Sequence, residues 1–188
     1  AENGMIYKLF QHNVTSSGYA DTIVAKVGKS SDVLPKMASL SFDIVYIDGS
    51  HTLEDASCDI REAKRLVRPG GIICGDDLEL QLKDLDVEEV NSAASSGQDY
   101  VFSSKRLTHY HPGITLAVAQ ELGEVGTWDG FWAVKSSGEA WSRITLDPAS
   151  FELPEHVESA AIKVVADTPT YRLISAEGRY FALAKQLG

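Results

Sequence analysis

Residues 42–80 read FDIVYIDGSHTLEDASCDIREAKRLVRPGGIICGDDLEL. Phe42, Ile44, Val45, Tyr46 and Ile47 form a nearly continuous apolar run, the pattern of a strand buried on both faces in a parallel sheet. Gly49 frees the backbone for a sharp turn. Thr52 and Asp55 have the spacing of a capping box, with Asp in place of Glu. Leu53, Ala56, Ile60, Ala63, Leu66 and Val67 then recur on one helical face, and Arg61, Glu62, Lys64 and Arg65 cover the other. Pro69-Gly70-Gly71 stops the helix and turns the chain, and Ile72, Ile73 and Cys74 start a second buried strand. The unit is βαβ, with a right-handed crossover expected.

Asp48 ends the first strand, and Asp76 and Asp77 end the second. Ligands of parallel α/β sheets bind beyond these carboxyl ends. A single Asp there reads equally well as a helix cap. Three together repel unless a cation neutralises them, and a hard divalent ion with oxygen ligands, Mg²⁺ (or Mn²⁺), is the natural partner.

FDIVYIDGSH with RPGGIICGDD resembles strands four and five of the class I S-adenosylmethionine-dependent methyltransferases. More narrowly it is similar to the metal-dependent small-molecule O-methyltransferases, which include catechol, caffeoyl-CoA and macrolide-sugar enzymes. The resemblance runs from about Tyr7 to Lys135. NVTSSGYADTIVAKVGKSSDVLPKM is similar to the second helix, third strand and following turn, and HPGITLAV with WDGFWAVKSS to the last helix and closing strand pair. The resemblance implies a Rossmann-like α/β sheet, a small-molecule substrate, S-adenosylmethionine and a divalent metal. It places Asp48, Asp76 and Asp77 on the metal ligands, Asp77 at a position often occupied by Asn. It places His51 where catechol enzymes carry a catalytic lysine. Gly28, Lys29, Ser30 and Ser31 fall on a loop that contacts the cofactor, and Asp48 borders the same ligand. An imidazole, with its ordinary pKa of about 6.5, suits His51 to proton acceptance, against the plainer reading of a hydrogen bond capping the turn.

The family's glycine-rich loop after strand one is absent before Asp48. In the family's sheet, strands one and two separate strand three from strand four, so Thr22–Val27 and Asp43–Asp48 are not neighbours and lack partners. Three arrangements answer this. The chain is a fragment of a longer protein, the C-terminal strands or a second subunit fill the gap, or the sheet closes up. The fragment reading is preferred, and it predicts weak or no cofactor binding by this chain alone. The alternative function is a non-catalytic methyltransferase-like scaffold or oligomerisation module.

The 188 residues and 44% hydrophobic content suit one domain with an appendage. The boundary is placed at residues 1–138 for the partial methyltransferase domain and 139–188 for a β-rich appendage. A net charge of −10 and pI near 4.9 disfavour nucleic acid and anionic membranes. No run reaches the roughly 20 apolar residues of a membrane span. Two cysteines, Cys58 and Cys74, read as buried thiols and fit a cytoplasmic setting.

Met5–Val14 has helical spacing, Thr22–Val27 reads as a short strand, and Ser31–Ala38 as a helical turn broken by Pro35. Residues 81–105, polar and Ser-rich, read as a lid or surface loop. His109 and His111 lie in the entry turn of a helix that Pro112 starts, where substrate contact suits them better than metal ligation. Trp128, Phe131 and Trp132 read as core or pocket wall around a tight Asp129-Gly130 hairpin. Pro148 and Pro154 mark a linker, and Ala161–Lys185 alternates like strands that either cover a sheet edge or pair across a homodimer.

Overall fold

The computed structural model describes residues 3–145 and the backbone of three later strands. The linker with Pro148 and Pro154 lies outside the described residues. The chain divides into two compact units, Ala1–Lys36 and Met37–Gly188.

In the first unit, helix α1 spans Asn3–Ser16 as the periodicity predicts. Its apolar residues Met5, Ile6, Leu9 and Phe10 are exposed, and Tyr7 stacks on Phe10. Thr22–Val27 is not a strand, contrary to the sequence reading. Ile23, Val24 and Val27 are exposed and the segment joins no ladder. A strand without a partner leaves its amides to water and has nothing to hold it extended. Helix α2 (Ser30–Val33) runs into a 3₁₀ turn at Leu34–Lys36, where Pro35 ends the α-helical pattern.

The second unit opens with strand β1 (Phe42–Ile47), helix α3 (Leu53–Leu66) and strand β2 (Val67–Leu78). β1 and β2 are parallel, with Ile44 to Ile47 opposite Ile72 to Gly75. This confirms the βαβ unit and corrects two details. Pro69-Gly70-Gly71 lies within β2, not before it: Val67 already pairs with Phe42, and the register slips over the next four residues. Gly70 takes φ +83° there, and a Cβ on Gly71 would stand 2.6 Å from the Asp43 carbonyl oxygen. Second, β1 is covered on one face only. Val45 and Ile47 pack on the core, while Phe42, Ile44 and Tyr46 are exposed. Among the described residues β1 is an edge strand, with β2 as its ladder partner.

Helix α3 is capped by Thr52, whose hydroxyl oxygen accepts from Asp55 N–H. The reciprocal half of the capping box differs: the Asp55 carboxylate accepts from the Thr52 hydroxyl at 3.0 Å, not from its amide. Asp is one methylene shorter than Glu. Ala56, Ile60, Ala63 and Leu66 are buried, as the periodicity requires. Cys74 is buried and its thiol pKa is raised by that burial, but Cys58 is only half-buried; both are free thiols.

Residues 81–105 hold more structure than a lid. Helix α4 spans Val87–Ser95, N-capped by Asp86, whose carboxylate accepts from the Glu88 and Glu89 amides. Val90 is fully buried against Leu85, Tyr110 and Leu116. The two-stranded ribbon β3 (Val101–Ser103) and β4 (Thr108–Tyr110) follows. Helix α5 (Pro112–Leu122) starts with Pro at its first turn, as expected.

Strand β5 (Gly126–Trp128) turns through Asp129 and Gly130, both at positive φ, into β6 (Gly130–Ser136). β7 (Trp141–Arg143) shares the outer edge of β6 with β5. The order β1-β2-β6-β5 has one parallel and two antiparallel junctions, a mixed Rossmann-like sheet. Trp132 is buried over Gly75, where any Cβ would collide with the indole at 2.7 Å. The charged side of α3 is tied to α5: Arg61 and Lys64 donate to the Glu121 carboxylate, each at 2.9 Å.

Strands β8 (Lys163–Asp167), β9 (Tyr171–Ala176) and β10 (Arg179–Ala184) form a separate antiparallel sheet. The segment therefore forms strands, as its sequence predicts. Among the described residues none of these strands pairs with β1, so the expected extension of the main sheet is not seen. No helix among the described residues is long and apolar enough to cross a membrane.

Candidate active site

The carboxyl ends of β1 and β2 place Asp48, Asp76 and Asp77 at one sheet edge. Tyr46 reports their proximity. Its phenol pKa is raised above 10.0 by desolvation, by the charges of Asp48, Asp76 and Asp77, and by a hydrogen bond to the Asp76 side chain. Asp48 and Asp76 are exposed and Asp77 is half-buried. The main chain of Asp76 is held from behind, because the Trp132 indole N–H donates to its carbonyl at 3.2 Å. Asp77 adopts φ +65°, and its amide donates to the Asp76 carboxylate at 3.0 Å. A non-glycine residue held in the left-handed region points to a constraint set by function or by packing.

His51 enters from the turn between β1 and α3. Its Nε2 lies 3.0 Å from Asp77 Oδ2, and its Nδ1 lies 2.9 Å from Asp99 Oδ1. The close approach of α5 fixes that turn, since Gly113 packs directly on the His51 carbonyl. His111, the N-cap of α5, is buried and edge-on to His51, with ring centroids 4.4 Å apart. Its Nδ1 is 3.1 Å from Glu79 Oε1 and 3.9 Å from Asp77 Oδ1. Tyr100 packs against His111 at 4.5 Å and against His109 at 5.0 Å.

Of the residues picked from sequence, His51 and Asp77 are in direct contact; Asp48 and Asp76 lie at the same edge but outside the donor cluster that the described residues form, which is His51, Asp77 and His111. Gly28, Lys29, Ser30 and Ser31 are exposed at the start of α2, in the other compact unit. Sequence reasoning missed Glu79, Asp99 and the role of His111. Glu79 follows the aspartate pair at alternate strand spacing, which offered a weak signal. Asp99 offered none, since its meeting with His51 depends on the path of the α4–β3 connection. His111 was legible as an N-terminal helix residue, but not as a neighbour of His51.

Residues 5–78 match a family model described as a methyltransferase domain. Over 122 residues the chain is 33% identical to a catechol O-methyltransferase of Mycobacterium tuberculosis (strain ATCC 25618 / H37Rv), a match covering 63% of this chain and 50% of that protein. The chain spans about half the length of the curated relative it matches.

Proposed function

We propose that this chain is the metal-site portion of an S-adenosylmethionine-dependent O-methyltransferase that acts on a small hydroxylated molecule, and that it is a fragment of a longer protein. The observation that carries this reading is the juxtaposition of His51 with Asp77, 3.0 Å apart, at the carboxyl end of the parallel β1–β2 pair. The similarity to a catechol O-methyltransferase supports the reaction class. The edge of β1, which has no partner among the described residues, and its exposed Phe42, Ile44 and Tyr46 support the fragment reading.

The donor chemistry fits a hard divalent ion. Asp48, Asp76 and Asp77 supply only carboxylate oxygens, the ligand type that Mg²⁺ or Mn²⁺ takes. When bound, S-adenosylmethionine supplies a sulfonium methyl group and the divalent ion lowers the pKa of a substrate hydroxyl. The chain's own part is proton acceptance and orientation. Asp99 orients the His51 ring through Nδ1, and Nε2, which contacts Asp77 at 3.0 Å, is assigned as the acceptor of a hydroxyl proton once the substrate takes the place of that contact. Tyr100 and His111 wall that edge. Gly28, Lys29, Ser30 and Ser31, with Asp48, are assigned to the cofactor. Residues 139–188 are taken as an appendage, with pairing of two copies as its proposed role. The two free thiols fit a reducing compartment, and a cytoplasmic setting is proposed.

The test is methyl transfer by the protein translated from the whole reading frame that holds this chain. Labelled methyl should pass from S-adenosylmethionine to one member of a panel of phenols and sugars, and His51→Ala should cut the rate roughly a hundredfold or more. Transfer at an undiminished rate in His51→Ala would remove His51 from the mechanism. No transfer to any acceptor would favour a scaffold.

A further inference from the structure

Beside the all-oxygen edge lies a second donor set of different chemistry. One nitrogen of His51, one carboxylate oxygen of Asp77 and one nitrogen of His111 lie within 4.8 Å of one another. They come from the β1–α3 turn, the end of β2 and the N-cap of α5, three elements fixed to one another by the core. Donors around a tetrahedral ion with bonds of roughly 2.1 Å stand about 3.4 Å apart. The observed approaches to the two Asp77 oxygens, 3.0 Å from His51 and 3.9 Å from His111, bracket that spacing.

His51 also carries the outer partner that metal-bound histidines use. Asp99 holds its Nδ1 at 2.9 Å, which directs Nε2 toward Asp77. Glu79 lies 3.1 Å from Nδ1 of His111, the nitrogen that also faces Asp77, so an ion bound at that nitrogen displaces this hydrogen bond. A carboxylate in the Asp99 position fixes ring orientation and raises ligand basicity. The three side chains are 29%, 26% and 11% exposed, so the cluster is sheltered yet open on one side. Two imidazoles and one carboxylate are a poor set for Mg²⁺, which takes oxygen, and a good one for Zn²⁺ and its neighbours.

We infer that His51, Asp77 and His111 form a binding site for a borderline divalent transition-metal ion, Zn²⁺ in the first instance, distinct from the Asp48–Asp76–Asp77 edge and sharing only Asp77 with it. Binding here needs nothing from the methyltransferase reading. Its consequence does rest on that reading. An ion at this site occupies the Nε2 lone pair of His51 and the carboxylate of Asp77, so it removes the proton acceptor and one ligand of the hard-ion edge together. Zn²⁺ is then an inhibitor where Mg²⁺ is an activator.

The test uses Co²⁺ as a visible substitute for Zn²⁺ on the full 188-residue chain. The expected result is intense visible absorption from Co²⁺ in a site of low coordination number, abolished by one equivalent of Zn²⁺ and retained with one equivalent of Mg²⁺. His111→Gln and His51→Gln should each weaken Co²⁺ binding roughly tenfold or more. His111→Gln should retain the rise in melting temperature produced by Mg²⁺, which separates the two sites and shows that the variant is folded. The inference is overturned if Co²⁺ shows only the faint spectrum of the aquo ion. It is equally overturned if both glutamine variants bind as the wild type does, or if one equivalent of Mg²⁺ displaces Co²⁺.

Discussion

Replacing Gly113 by alanine tests how the protein positions His51. Gly113 lies in the first turn of α5, and a Cβ built there would stand 2.1 Å from the His51 carbonyl oxygen, 2.8 Å from Leu53 N and 3.0 Å from the Thr52 carbonyl carbon. An ordinary Cβ contact begins at 3.4 Å, so the two backbones must part by about 1.3 Å. All three obstacles are main chain, so no rotamer change relieves the clash. Overpacking of a tight site costs typically 1–3 kcal/mol, and the rigid surroundings put this one at about 3 kcal/mol. For a chain of this size that lowers the melting temperature by roughly 6–12 °C. Urea denaturation followed by circular dichroism measures the loss. Gly4→Ala serves as the control, because nothing lies within 4 Å of its Cβ and helix propensity alone favours Ala by up to about 1 kcal/mol. A Gly113→Ala variant within about 0.5 kcal/mol of wild type would refute the claim that α5 buttresses the His51 turn.

Glu121 offers a pH-dependent test. Burial pushes its carboxyl pKa up, but hydrogen bonds and charge from Lys64 and Arg61 outweigh burial and hold it below 4.5. A carboxylate lowered in the folded state stabilises fully above its unfolded pKa and loses that contribution as pH falls through the folded value. Glu121→Gln should therefore cost about 1–2 kcal/mol at neutral pH and flatten the acid limb of the stability profile below about pH 4.5; an unchanged limb counts against the α3–α5 link. Trp132→Phe removes the indole donor to the Asp76 carbonyl and should lower stability by about 1–2 kcal/mol, and an unshifted urea midpoint would contradict it. Calorimetric titration of S-adenosylmethionine into this chain alone should show weak binding or none, and a micromolar constant would mean that the missing glycine loop is replaced by other residues.

The βαβ unit was legible because each part carried its own local signal: the apolar run of β1, the 3.6-residue spacing from Leu53 to Leu66, and the Gly-rich break before Ile72. The α5 start and the Asp129-Gly130 hairpin were legible for the same reason. What failed depended on partners. Thr22–Val27 has strand composition but no neighbour to pair with, and β1 has core composition but an open face. α4 was misread as loop because its serines obscured the Asp86 cap and the Val90–Ala93 face. At the site, His51, Asp48, Asp76 and Asp77 stood out through position at strand ends. Asp99 meets His51, and His111 meets Asp77 and Glu79, between segments far apart in the chain, and only the tertiary fold brings them together.

The hard-ion edge is the centre of the account, and thermal unfolding with and without Mg²⁺ tests it most directly. At a Mg²⁺ concentration ten times its dissociation constant, binding to the folded state contributes about 1.4 kcal/mol. For this chain that raises the melting temperature by about 3–6 °C. Asp48→Asn combined with Asp76→Asn can itself move the starting melting temperature, so the quantity read is the Mg²⁺-induced rise alone. The account predicts that the rise disappears in the double variant. The same rise in wild type and double variant would contradict the assignment of Asp48 and Asp76 to the metal.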